Sequence, residues 1–137
     1  MEENMPEDFL SYNTQRNLDV TAHESAALTK ATIRAAKKLG LKNRMLSAVI
    51  GLSPPTISRM SRGEYELDRT SKAFQLSVLF VRLYRSLDAI VSGDENVARA
   101  WLNNPNVPLG DKPINLIQNV SGLVNVIDYL DARRARV

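Results

Sequence analysis

The sequence predicts an all-α protein, and three observations carry that prediction. Apolar residues recur at spacings of three and four through most of the chain, and no stretch alternates apolar and polar at the strand period. The segment LSAVIGLSPPTISRMSRG, residues 46–63, reads as two short helices around a glycine turn. At 137 residues, with 44% hydrophobic and 24% charged, the chain can form one or two small domains with a modest core. No stretch approaches the length of a membrane span, and the acidic start, residues 1–8, is unlike a secretion signal, so no membrane partner and a cytoplasmic location are expected. Cysteine is absent, which excludes disulfides and thiolate metal sites, and His23 stands alone. No nucleophile–base pair, Gly-rich phosphate loop or metal cluster is visible, so no catalytic residue, metal or cofactor is expected.

Taken in order, residues 1–20 are acidic and polar, contain Pro6 and show no sustained periodicity, and are expected as a flexible acidic N-terminus. A helix is expected to begin near Thr21, with Leu28, Ala31, Ala35 and Leu39 as its inner stripe and Lys30, Arg34, Lys37 and Lys38 facing outward. Gly40 ends it. Lys42 and Arg44 then lead into a helix on which Leu46, Val49 and Ile50 share one face, and Gly51 turns the chain. Ser53 is an N-cap, Pro54 occupies the first helical position, and Ile57 and Met60 face inward from the second helix. Pro55, Arg59 and Arg62 fall on its outer face.

Charge is sharply partitioned along the chain. Residues 1–29 carry six acids against Arg16, residues 30–63 carry eight Lys or Arg and no acid, and residues 64–137 carry nine of each. A basic stripe that coincides with a helix-turn-helix is read as an electrostatic footprint for phosphates. Pro54 and Pro55 cannot donate to a base edge, so readout falls to Thr56, Ser58, Arg59 and Arg62, or to DNA shape. The candidate DNA-binding set is Lys42, Arg44, Ser53, Thr56, Ser58, Arg59 and Arg62.

After a polar link, residues 64–70, a long helix over 71–91 is apolar almost all round. Such a helix is either central in the core or covered by another chain, and both are expected here, with a homodimer seam partly through this helix at Leu79 and Leu83. Ser92 and Gly93 close it. Val97, Ala100 and Trp101 then share a face of a short helix that Pro105 terminates, and Pro113 opens another with Ile114, Leu116 and Ile117. Ser121 is the candidate N-cap of the last helix, whose Val124, Ile127 and Leu130 are expected to face inward.

Two resemblances rest on these residues. Leu46, Gly51, Ser53, Thr56, Ile57, Ser58, Arg59, Arg62 and Gly63 resemble, in register, the DNA-binding motif of the Xre family of phage-type repressors, with Ser47 where Ala is usual. Ala100-Trp101-Leu102, Pro105-Asn106, Leu109-Gly110, Pro113, Leu116-Ile117, Gly122, Val126 and Leu130 resemble the C-terminal toxin-binding domain of the MbcA/ParS/Xre antitoxins, with Asp111 where a second Gly is usual. The resemblance implies a division into the N-terminus (1–20), an Xre-like helix-turn-helix domain (21–70), a connecting or dimerisation helix (71–93) and a C-terminal antitoxin domain (94–137). It also implies two jobs: neutralising a RES-domain toxin that consumes NAD, and repressing the shared operon at operator DNA. The homodimer expected from the long helix would then sit within a larger toxin–antitoxin complex. NAD would be the toxin's substrate, not a ligand of this chain. The tail residues Asp131, Arg133, Arg134, Arg136 and Val137 are candidates for toxin binding, because an arginine fork suits a pocket that accepts phosphates. The same basic run also suits a helix C-terminus through the macrodipole. A free-standing repressor and a pure protein-interaction module stay open as other readings.

Overall fold

Seven α-helices follow one another in the computed structural model, which describes residues 7–135, and no strand occurs among the described residues. They are α1 (Glu7–Lys38), α2 (Asn43–Ile50), α3 (Pro54–Ser61), α4 (Lys72–Ile90), α5 (Glu95–Asn103), α6 (Pro113–Leu116) and α7 (Val120–Ala135).

The first helix corrects the expectation of a start near Thr21, because the segment read as flexible is helical from Glu7. The cause is cooperative. No Gly or Pro interrupts residues 7–38, and once the alanine-rich turns have formed, each residue added upstream gains a hydrogen bond without a second nucleation cost. Gly40, at φ 70°, ends α1 in the left-handed region. The buried stripe of α1 is more polar than expected: Ala35, Ala36 and Leu39 are joined by Ser25, Thr29 and Thr32, while Leu28 and Ala31 are only half-buried. Thr29 and Thr32 return their hydroxyls to the backbone carbonyls of Ser25 and Leu28, at 2.7 and 2.8 Å, which satisfies them inside the helix.

The turn between α2 and α3 forms as its residues dictate. Gly51 sits at φ 74° with its N–H on the Ser47 carbonyl, and the Ser53 hydroxyl accepts from the Thr56 N–H at 3.3 Å. The link after α3 hides one anchor, Leu67, which is 1% exposed and donates its N–H to the Thr29 hydroxyl at 2.9 Å.

Helix α4, capped by Ser71, is the central post: it packs against α1, α2, α5 and above all α7. The core runs without a break from Ile50, Ile57 and Leu67 through Phe80, Leu83 and Leu87 to Leu102, Ile117 and Leu123. This corrects one half of the expected seam. Leu83 is fully covered by the chain's own helices, and the large apolar residue that α4 leaves outward is Val78, at 46% exposure.

The inward faces of the last helices also differ from expectation. On α5, Ala98 and Leu102 are buried and Val97 is 50% exposed, so the face of Val97, Ala100 and Trp101 is the outer one. On α7 the buried side chains are Leu123, Val126, Ile127 and Leu130, and Val124 lies outward. The cap of α7 is Asn119, whose side chain accepts from the Gly122 N–H at 2.8 Å, and not Ser121. Gly122 marks a close crossing, since a Cβ there would stand 1.9 Å from the Leu116 carbonyl oxygen. Asp111 is not among the residues at positive φ and so needs no glycine freedom: just before the Lys112 cap of α6, it accepts from the Lys112 N–H at 2.6 Å and the Asn115 side-chain amide at 3.1 Å.

Candidate functional site

Two surfaces carry the candidate residues. On the first, α3 is held with its outer face towards solvent by Thr56, Ile57 and Met60, which are buried. Pro54 and Pro55 are exposed at its start. Arg59 is exposed and pre-oriented. Its Nη2 donates to the Thr56 hydroxyl at 3.1 Å, and its guanidinium lies 5.9 Å from the centroid of the Tyr65 ring. Thr56 therefore acts internally: at 9% exposure, with its hydroxyl shared between Ser53 at 2.9 Å and Arg59, it aims Arg59 and offers nothing to a base itself. Ser58 is half-buried and accepts from the Asn43 amide at 3.0 Å, which locks α2 to α3. Ser53 is committed as the helix cap, and Arg62 pairs with Glu64 at 3.2 Å.

Lys42 and Arg44, both exposed, stand where α2 begins. They line a cleft of about 590 Å³ whose lining also includes Asn103 of α5 and Gln118 of the turn between α6 and α7. Lys30, Arg34 and Lys37 are exposed on the last turns of α1. The basic residues thus stand around the helix-turn-helix on more than one element. Asn43 and Tyr65 were missed in the sequence. The tyrosine two places after Gly63 could not be paired with Arg59 by helical spacing, because it lies beyond the end of α3.

The second surface is the outer side of α5 and α7. Asp131, expected on a partner-facing tail, is turned back onto α4: it accepts from the Ser86 hydroxyl at 2.8 Å and pairs with Arg82. These hydrogen bonds, that of Ser86 first, hold its carboxyl below the usual carboxylate value. Its place in the last full turn of α7 brings it opposite α4, so it positions α7. Arg133 is exposed and lies over Tyr129, and Arg134 is exposed at the end of α7. Arg136 and Val137 lie outside the described residues. Above the tail a groove of about 760 Å³ runs between α1, α4 and α7, floored by Leu28, Phe74, Val78 and Val81 and edged by Arg85 and Arg134.

Comparison with known proteins follows the same two surfaces. Residues 20–82 match the antitoxin Xre-like helix-turn-helix domain, and residues 86–136 match the antitoxin Xre/MbcA/ParS C-terminal toxin-binding domain. The two matches meet inside α4, the helix that both parts share. A helix-turn-helix joined through a common core helix to a toxin-binding domain defines an antitoxin of a toxin–antitoxin system, a regulatory protein and not an enzyme. The chain belongs to the Xre/MbcA/ParS antitoxins. The fold is that of a chain in the crystal structure of the M.tuberculosis MbcT-MbcA toxin-antitoxin complex, with a TM-score of 0.62 at 21% identity, covering 80% of this chain and 96% of that one. No curated protein sequence matches the chain. No helix is long and apolar enough to cross a membrane among the described residues.

Proposed function

We propose that this antitoxin neutralises a RES-domain, NAD-consuming toxin through its C-terminal domain and represses the shared operon by binding operator DNA as a homodimer. The observation that carries the reading is the joining, in one chain, of two interfaces. One is a helix-turn-helix with Arg59, Lys42 and Arg44 on its open side, and the other is a toxin-binding domain whose last helix ends in arginines. Arg59 is the base reader, and Lys42 and Arg44 grip the backbone. One short helix reads few base pairs, so discrimination calls for two half-sites and hence two copies. The groove that includes Val78 is our candidate for their seam.

The test is co-expression of the chain with the product of the adjacent reading frame. Three results support the proposal: a purified complex, suppression of NAD consumption on complex formation, and a shifted operator fragment. An active NAD-consuming neighbour that the chain neither binds nor inhibits would overturn it. Val78→Asp should convert the free protein to a monomer by light scattering while leaving its helical spectrum intact.

A further inference from the structure

The core accounts for one side of α5 and α7 only. Ala98 and Leu102 of α5, with Leu123, Val126, Ile127 and Leu130 of α7, form the buried side. The other side carries Val97, Ala100 and Trp101 at the i, i+3, i+4 spacing of one helix face, Val97 being 50% exposed, Ala100 exposed and Trp101 half-buried. Trp101 stacks on Tyr129 of α7, ring centroids 6.3 Å apart and planes within 20°. Arg133, one turn further, lies 5.6 Å from the same Tyr129 ring centroid and donates from Nη1 to its hydroxyl at 3.0 Å. A tryptophan, a tyrosine and an arginine are thus layered on one another beside an exposed valine. Burial of Tyr129 is incomplete, so nothing internal uses the whole of this surface.

Trp, Tyr and Arg are the residue types that dominate the energy of protein interfaces, and rigid ones cost little entropy when a partner orders them. The patch lies wholly within the matched toxin-binding domain and runs directly into the arginine tail. The other exposed large apolar residues of that domain, Val107 at 91%, Val120 at 55% and Val124 at 37%, do not share the i, i+3, i+4 face that Val97 forms with Trp101 and count as ordinary surface. We propose that Val97, Trp101, Tyr129 and Arg133 form the anchor patch onto which the toxin docks. The toxin presents an apolar surface edged by a carboxylate that takes Arg133. This inference rests on reading the domain as toxin-binding, and it names the side of the domain that does the binding.

The test measures binding of the full-length antitoxin to the catalytically inactivated product of the adjacent reading frame, by calorimetry. Val97→Arg and Tyr129→Ala should each weaken binding by about 30-fold or more, while Val107→Arg and Val120→Arg stay within about threefold of the wild type. Val97 is half exposed, so Val97→Arg leaves the core intact, and thermal melts and operator binding check that each variant is folded. If the wild type binds and both patch variants bind as tightly, the patch is wrong and the toxin-binding reading stands. If the loss follows Val107→Arg or Val120→Arg instead, the toxin sits on another side and the patch is again wrong. If the wild type itself binds no toxin, the reading and the patch fall together.

Discussion

The guanidinium of Arg99 lies across the C-terminal end of α1, with Nε donating to the Lys38 carbonyl oxygen at 3.0 Å and Nη2 to that of Lys37 at 3.1 Å. Carbonyls in the last turn of a helix have no partner within it, and a cation there also meets the negative end of the helix dipole. The arginine stem packs over Gly40, where a Cβ would stand 3.2 Å from Arg99 Cδ, and Glu95 adds an ion pair to Lys38 at 3.4 Å. Helix α5 of the toxin-binding domain is therefore fastened to the segment that leads into Lys42. Truncating Arg99→Ala should destabilise the fold by about 1 kcal/mol, the site being half in water, and lower Tm by about 3 °C. Arg99→Lys should recover little of this, because a single ammonium cannot span both carbonyls as the fork does. Calorimetric melts that place Arg99→Ala level with the wild type would show the clasp to be inert.

Gly122 offers a sharper stability test. A methyl group there would overlap the Leu116 carbonyl oxygen, a backbone atom that cannot swing away as a side-chain end could. Gly122→Ala should cost about 2–3 kcal/mol by forcing α6 and α7 apart, despite the higher helix propensity of alanine. Denaturant titration checks it, and an unchanged or raised midpoint would mean that the crossing has room for a methyl group.

How far the sequence reached follows from which interactions are local. The α2–α3 turn was legible because Gly51, Ser53 and Pro54 act on their own neighbours. Cap identity at α7 was missed because Asn119 and Ser121 are both good caps, and only the crossing at Leu116 sets where the helix starts. The outward turn of Val97 and Trp101 was missed for a related reason. Helix α5 has apolar residues on two faces, and the choice between them is made by α4 and α6, against which it packs. Asp131 looked like part of the tail until α4 brought Ser86 and Arg82 beside it.

On the proposed DNA-reading face, Arg59 is held by Thr56 and Tyr65, and its guanidinium makes no other hydrogen bond among the described residues. Arg59→Ala should cost about 1–3 kcal/mol of operator affinity and relax sequence preference. Lys42→Ala should weaken all sequences alike and reduce the salt slope by about one. Thr56→Val, which removes the hydroxyl from Ser53 and Arg59, should lower specificity without changing that slope. A mobility-shift series in graded salt separates the three, and wild-type affinity in Arg59→Ala would remove α3 from the reading role.

The junction of α4 and α7 should respond to acid. Asp131 has its carboxyl held below the ordinary value of 3.8 by Ser86 first and by Arg82. A folded-state value that is depressed means that the unfolded chain takes up protons first. The contribution to stability is then full above 3.8 and is lost as pH falls through the lower folded value. Asp131→Asn should flatten the acid limb of a stability–pH curve below about pH 4 and leave the slope near neutrality unchanged. An acid limb identical in both proteins would show that Asp131 adds nothing to the docking of α7.

The tail beyond Asp131 can be removed without disturbing the core. Leu130 is the last residue of α7 in the buried cluster, and Asp131 with its bonds to Ser86 and Arg82 would remain. A chain lacking residues 132–137 should therefore fold and bind operator DNA as the wild type does. It loses Arg133, Arg134 and Arg136, whose guanidinium groups can offer the paired donors that a phosphate-accepting pocket satisfies with acceptors of its own. Val97, Trp101 and Tyr129 stay in place, so a complex with the toxin should still form, though more weakly without Arg133. The decisive quantity is the NAD consumed by that complex. If the arginines enter or cover the substrate pocket, consumption returns while the two proteins remain associated. If the truncated antitoxin still silences the toxin at stoichiometric amounts, inhibition comes from the docking surface alone, and the arginines serve only to offset the dipole at the end of α7.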